Sequence, residues 1–129
     1  DAFAILRITS PFRTAETIRA AWGTFKSTPG AHSLRTVRRS REDVSKTWVI
    51  RHGRLLPLFP MGDEWHSRPS QLNFGTYIQT AGLEIAWVQT VLDTGTIAGS
   101  VIVPYILDGP AALDINTVDD WERAVALAK

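Results

Sequence analysis

The chain contains no cysteine, which excludes disulfides, thiolate zinc sites and cysteine nucleophiles. It lacks any run approaching the 18 or so uninterrupted apolar residues of a spanning helix, and its first residues show no basic-then-apolar signal pattern. The expectation is a cytoplasmic protein with no membrane partner. GxSxG, GxxxxGKS and GxGxxG are all missing, so the sequence makes no case for a hydrolase elbow, a P-loop or a dinucleotide site. A charge excess of one sign is missing too, the formal net charge being +1.

What remains is the composition of an ordinary globular domain, 44% hydrophobic and 21% charged over 129 residues. A chain of that length supports one core and buries roughly two-thirds of its unfolded surface. Charge is unevenly spread: residues 1–70 carry twelve Lys/Arg against six Asp/Glu, and residues 71–129 carry two against seven. Either the two halves attract one another within a single fold, or an anionic substrate sits on the basic side and a cation on the acidic side.

Residues 2–8 form an apolar run broken only by Arg7, short enough for a buried parallel strand. Thr14 can cap a helix over residues 15–27, where Ile18, Ala21, Trp22 and Phe25 recur on one face. Residues 33–38 read as a second strand, giving one right-handed strand-helix-strand crossover. His52-Gly53 between two apolar runs predicts a β-hairpin, and residues 57–71, rich in proline, predict a long excursion. Further strand pieces are expected at residues 77–79, 83–87 and 101–107, the last at an edge or bulge because of Pro104. A short helix over residues 88–93 ends at Gly95, and Thr117 opens a final helix whose buried face is marked by Trp121, Val125 and Ala124 or Ala128.

Three histidines, His32, His52 and His66, have no metal-ligand spacing and read as turn or surface residues. Seven Lys/Arg between Arg35 and Arg54 make the densest basic segment. Only Trp48 is interleaved among them and the chain is nearly neutral, so nucleic acid is not an expected partner. Asp114 and Asn116 stand two residues apart just before the last helix. On an extended segment they point the same way and offer two hard oxygens to Mg²⁺; the competing reading is a pair of Asx turns leading into that helix.

Taken together, four segments resemble the CMP-sialic acid synthetase (acylneuraminate cytidylyltransferase) family. Ala2-Phe3-Ala4-Ile5-Leu6-Arg7-Ile8-Thr9-Ser10-Pro11-Phe12-Arg13-Thr14 resembles the family's strand and loop, which usually reads Leu-Gln-Pro-Thr-Ser-Pro-Leu-Arg, and Asp43-Val44-Ser45-Lys46 its His-Pro-x-Lys. Residues 71–82 resemble its Arg-Gln-x-Leu-Pro-x-x-Tyr-x-x-Asn-Gly segment, with Gln71 and Tyr77 in register, and Asp114-Ile115-Asn116 its metal-binding Asp-Ile-Asp. Arg7 and Thr80 replace a glutamine and an asparagine that contact the sugar in the family, which implies either a different sugar acid or a site released from selection. Asn116 replaces a second aspartate, keeping an oxygen ligand and losing a charge.

The resemblance implies a three-layer α/β fold with a mostly parallel sheet, nucleotide-diphospho-sugar transferase-like, interrupted by an arm at about residues 46–79. It implies transfer of CMP from CTP to a sialic-acid-like sugar acid with release of pyrophosphate. Asp114 and Asn116 would hold Mg²⁺, Lys46 the sugar carboxylate, and Arg7, Thr9, Gln71 and Thr80 would line the sugar. Family members open with a strand and a loop of glycine, arginine and lysine that hold the CTP phosphates, and no residue before Asp1 supplies them. The expectation is therefore the C-terminal part of a cytidylyltransferase domain over residues 1–129, inactive alone. The apolar residues between Trp48 and Trp65 imply a homodimer formed through the arm. The alternative is a non-catalytic sugar-acid-binding or assembly module of the same fold.

Overall fold

A computed structural model of the chain describes residues 1–59, 62, 65–69 and 75–129. It divides into two compact units, one formed by Asp1–Arg38 with Gln79–Lys129 and the other by Arg39–Ile78.

The first unit is organised by α1, Ala15–Ser27. The Thr14 hydroxyl accepts the Thr17 amide at 3.1 Å, Glu16 lies in the first turn and Lys26 in the last, so capping and charge both favour this helix. Its apolar face buries Ala21 and Phe25 completely against Leu34, Leu83, Ile85 and Val103 of the sheet. Phe25 stacks on Trp87 with ring centroids 4.8 Å apart, and Trp22 meets Trp87 edge-on at 5.6 Å.

The sheet has four strands in the order β1-β5-β2-β6: β1 is Ala2–Ile5, β2 Ser33–Arg39, β5 Tyr77–Trp87 and β6 Ile102–Ile106. β1 runs antiparallel to β5, pairing Ala2 with Trp87 and Ile5 with Glu84. β5 runs antiparallel to β2 as well, since its Trp87 amide reaches the His32 carbonyl while the Leu83 amide, four residues earlier, reaches the Thr36 hydroxyl. Only β2 and β6 are parallel.

This corrects the expectation of a three-layer, mostly parallel sheet: the sheet is mixed and mostly antiparallel. The strand-helix-strand opening is present, but β1 and β2 are not neighbours, because β5 lies between them. Among the described residues between β2 and β5 the chain forms a hairpin and 3₁₀ turns but no α-helix, and β5 enters antiparallel to β2. Pro104 lies on β6, an edge strand, where its missing N–H does no harm.

α2, Val88–Thr94, ends at Gly95 in the left-handed conformation (φ 69°). α3, Val118–Leu127, starts with a complete capping box in which the Thr117 hydroxyl takes the Asp120 amide at 3.2 Å and the Asp120 carboxylate takes the Thr117 amide at 3.0 Å. The expected buried face of α3 is corrected: Ala124 is buried, whereas Trp121 is 59% and Val125 42% exposed. No helix among the described residues is long and apolar enough to cross a membrane.

The Asp120 carboxyl is held below its ordinary value of 3.8, first by the Thr117 hydroxyl and then by the Asn116 amide. A carboxyl whose folded pKa is depressed contributes stability above its unfolded pKa, and that contribution is lost as pH falls through the folded value. Asp120→Asn is therefore expected to be the less stable protein near neutrality and to lose less stability than wild type below about pH 4. Urea denaturation across a pH series measures the difference.

The second unit contains the expected hairpin, of β3, Trp48–Arg51, and β4, Arg54–Pro57, with Ile50 opposite Leu55. His52 and Gly53 both have positive φ (51° and 72°), as a two-residue turn matched to the strand twist requires. A 3₁₀ turn at Val44–Lys46 precedes it, capped by Asp43, whose Oδ1 accepts the Ser45 amide at 3.0 Å.

Candidate functional site

The loop after β1 and the segment before α3 meet through one backbone bond, the Ile115 amide donating to the Thr9 carbonyl at 2.9 Å. That bond puts Ser10 beside the neighbourhood of Asp114 and Asn116. Asn116 Nδ2 donates to Asp114 Oδ2 at 3.0 Å, so the two side chains share a side, as an extended spacing of two demands. Asp114 Oδ1 is buried without a hydrogen-bond partner among the described residues, and so is the Ser10 hydroxyl.

Buried polar atoms are normally paired, and an unpaired carboxylate oxygen is the more costly kind to leave. A divalent cation would satisfy it. Among the described residues no group of three or more His, Asp or Glu gathers to cage a metal. Asp114 therefore fits the type of site in which one carboxylate, waters and substrate phosphates complete an octahedron around Mg²⁺. Asn116 can supply a second oxygen if its amide turns over, because Oδ1 and Nδ2 exchange places on that rotation. The Asp120 carboxylate is already taken up by the α3 cap.

A second polar cluster lies on the same loop. Arg7 Nη2 donates to Glu84 Oε1 at 2.9 Å, and Arg35 Nη1 stands 2.8 Å from Glu84 Oε2. The second contact is a close ion pair without hydrogen-bond alignment. Arg13 Nη1 donates to the carbonyls of Arg7 (3.1 Å) and Gly82 (2.7 Å), tying the loop to β5. The Glu84 side chain is 6% exposed and that of Arg7 54%, so the pair reaches from the interior to solvent.

The remaining expected residues are dispersed. Thr9 is half-buried, with its carbonyl engaged by Ile115. Thr80 is buried, its hydroxyl donating to Thr36 Oγ1 at 2.9 Å inside the sheet. Lys46 is exposed at the end of the 3₁₀ turn in the second unit. Gln71 lies outside the described residues. Thr9, Asp114 and Asn116 are thus brought to one loop junction, Arg7 stands on the same loop with its side chain on Glu84 of β5, and Thr80 faces the sheet interior.

Sequence reading missed Ser10, Arg13, Arg35 and Glu84. For Glu84 a signal existed: one acid within Leu83-Glu84-Ile85-Ala86-Trp87 on a strand otherwise apolar is a buried charge in need of partners. For Ser10 there was none.

Elsewhere in the first unit, an open cleft of about 240 Å³ is lined by His32, Trp87, Gln89, Thr90, Asp93 and Thr94. Its polar groups are already engaged: Gln89 donates to Asp93 at 2.7 Å, Thr90 to the His32 carbonyl at 2.9 Å, and His32 Nδ1 accepts the Ser100 amide at 3.0 Å. None of the expected site residues borders it. Neither a model of any known protein family nor any curated protein sequence matches the chain.

Proposed function

We propose that the chain is part of a Mg²⁺-dependent nucleotidyltransferase that passes CMP from CTP to a sialic-acid-like sugar acid, with release of pyrophosphate. The observation that carries this reading is the unpaired, buried Oδ1 of Asp114, set at the loop junction with Asn116 alongside. A carboxylate with one oxygen left over and no caging partners among the described residues suits a cation shared with phosphates. In this reading Asp114 and Asn116 hold Mg²⁺, which neutralises charge on the phosphates. Thr9 and Arg7, on the facing loop, orient the sugar. The reacting hydroxyl must be aligned with the α-phosphorus, so positioning and charge neutralisation supply the rate.

The test is pyrophosphate release from CTP by the full-length protein with a panel of ulosonic acids, with and without Mg²⁺. Release that needs both sugar acid and Mg²⁺ supports the reading. No release with any acid contradicts it and favours the sugar-acid-binding module.

Assembly as a homodimer belongs to the same reading. In the second unit Ile50 and Leu55 face the same way on the hairpin at 76% and 61% exposure, followed by the exposed Leu58 and Phe59. Apolar surface of that continuity usually marks an interface, and two-fold pairing is its commonest closed form. Sedimentation equilibrium at micromolar concentration is expected to give a dimer for wild type and a folded monomer for Phe59→Asp. A monomeric wild type would contradict it.

A further inference from the structure

Burying Glu84 is costly unless its charge is matched, and one arginine would match it. The structure supplies two, Arg7 and Arg35, and a third guanidinium, Arg13, holds the backbone on which Arg7 stands. One carboxylate among three guanidinium groups leaves positive charge in excess. That excess is accessible only in part. Arg35 is mostly enclosed, at 20% side-chain exposure, and Arg13 is tied to two carbonyls, whereas Arg7 is 54% exposed.

Arg7 has five N–H donors in a planar fork, and the hydrogen bond to Glu84 occupies one Nη2 donor. The buried carboxylate therefore anchors the fork at one corner and leaves the remaining donors free to turn outward. A guanidinium fixed in this way loses less freedom when it binds than a free lysine or arginine does. Its geometry matches a carboxylate held by two parallel N–H···O bonds.

We infer that Arg7, anchored by Glu84 with Arg35 behind it, is a carboxylate clamp for the sugar acid, taking the group that the resemblance assigns to Lys46. The inference rests on the nucleotidyltransferase reading and names the group that Arg7 takes. In a ulosonic acid the carboxylate and the reacting hydroxyl share one carbon. The clamp stands on the loop whose Thr9 carbonyl meets Ile115, so a carboxylate held there brings that hydroxyl to the same loop. Arg7 contacts substrate; Glu84 and Arg35 are positioning residues acting through it.

The test uses glycolate, the smallest acid with carboxylate and hydroxyl on one carbon, and glycolamide, its neutral counterpart. In ¹⁵N-labelled protein the Arg7 Nε–H signal, assigned by its loss in Arg7→Lys, is followed during titration. Glycolate is expected to shift it saturably and glycolamide to leave it in place. Arg7→Lys keeps the charge without the fork and is expected to weaken glycolate binding about tenfold, read from backbone amides. Glu84→Gln is expected to weaken it by a similar factor, while Arg7 Nε–H moves toward its free-arginine position even without ligand. Equal response to both compounds, or unchanged affinity in Arg7→Lys, would overturn the clamp. Because Arg7 is exposed, that variant remains informative even if Glu84→Gln unfolds. Pyrophosphate release with a silent Arg7 signal rejects the clamp and keeps the transferase. A glycolate-specific Arg7 response without pyrophosphate release keeps an anion clamp and rejects the transferase.

Discussion

Replacing Phe25 with alanine is expected to cost about 3–5 kcal/mol, the range for removing a fully buried aromatic ring from a core. Phe25 is fully buried, and its ring lies 4.8 Å from Trp87 and 6.0 Å from Trp22. Its removal leaves a cavity between α1 and the sheet and forfeits two ring contacts together. A domain of this size is stable by about 5–15 kcal/mol, so the variant sits near the edge of folding at room temperature. Urea unfolding should show a much lower midpoint with an unchanged slope. Trp121→Ala, at a site 59% exposed, should shift the same midpoint by no more than about 0.5 kcal/mol. A Phe25→Ala loss under about 1 kcal/mol would mean that the aromatic cluster is not the centre of the core.

Asp114→Ala should separate function from stability. On the proposed transferase reading, removing this carboxylate is expected to lower Mg²⁺-dependent turnover of the full-length protein by about 100-fold or more, since metal-borne charge neutralisation is worth several kcal/mol in the transition state. Stability should not fall. Among the described residues Asp114 Oδ1 is buried without a partner, so alanine removes a desolvation cost along with the bond from Asn116. An unchanged or slightly raised urea midpoint with turnover lost is the signature of a residue kept for chemistry. Turnover within about twofold of wild type, or a stability loss above about 1 kcal/mol, would place Asp114 in a structural role instead.

Local signals carried through from sequence to structure. The bounds of α1, the Thr14 cap, the His52-Gly53 turn and the Gly95 stop all rest on neighbouring residues, whose preferences act within one turn of chain. Sheet order was not legible. A strand's partner is chosen by the whole fold, and nothing in residues 2–39 announces that β5 will enter between β1 and β2. α3 marks a different limit. Its apolar spacing correctly gives one face, but whether another element covers that face is a tertiary fact, and Trp121 and Val125 remain exposed. At the candidate site, the spacing of Asp114 and Asn116 announced only that their side chains share a side. The second arginine on Glu84 comes from a different strand, and neither it nor the orphaned Ser10 hydroxyl is encoded in a local pattern.

The cation site itself can be tested on this chain without turnover. Mn²⁺ titrated at substoichiometric concentration into ¹⁵N-labelled protein broadens amide signals near wherever it binds. Selective broadening of Thr9, Ser10, Asp114, Ile115 and Asn116, lost in Asp114→Ala, is the expected result. Broadening centred on Asp119 and Asp120, or a pattern unchanged by Asp114→Ala, would contradict a cation site at the junction of the Thr9 loop and Asp114.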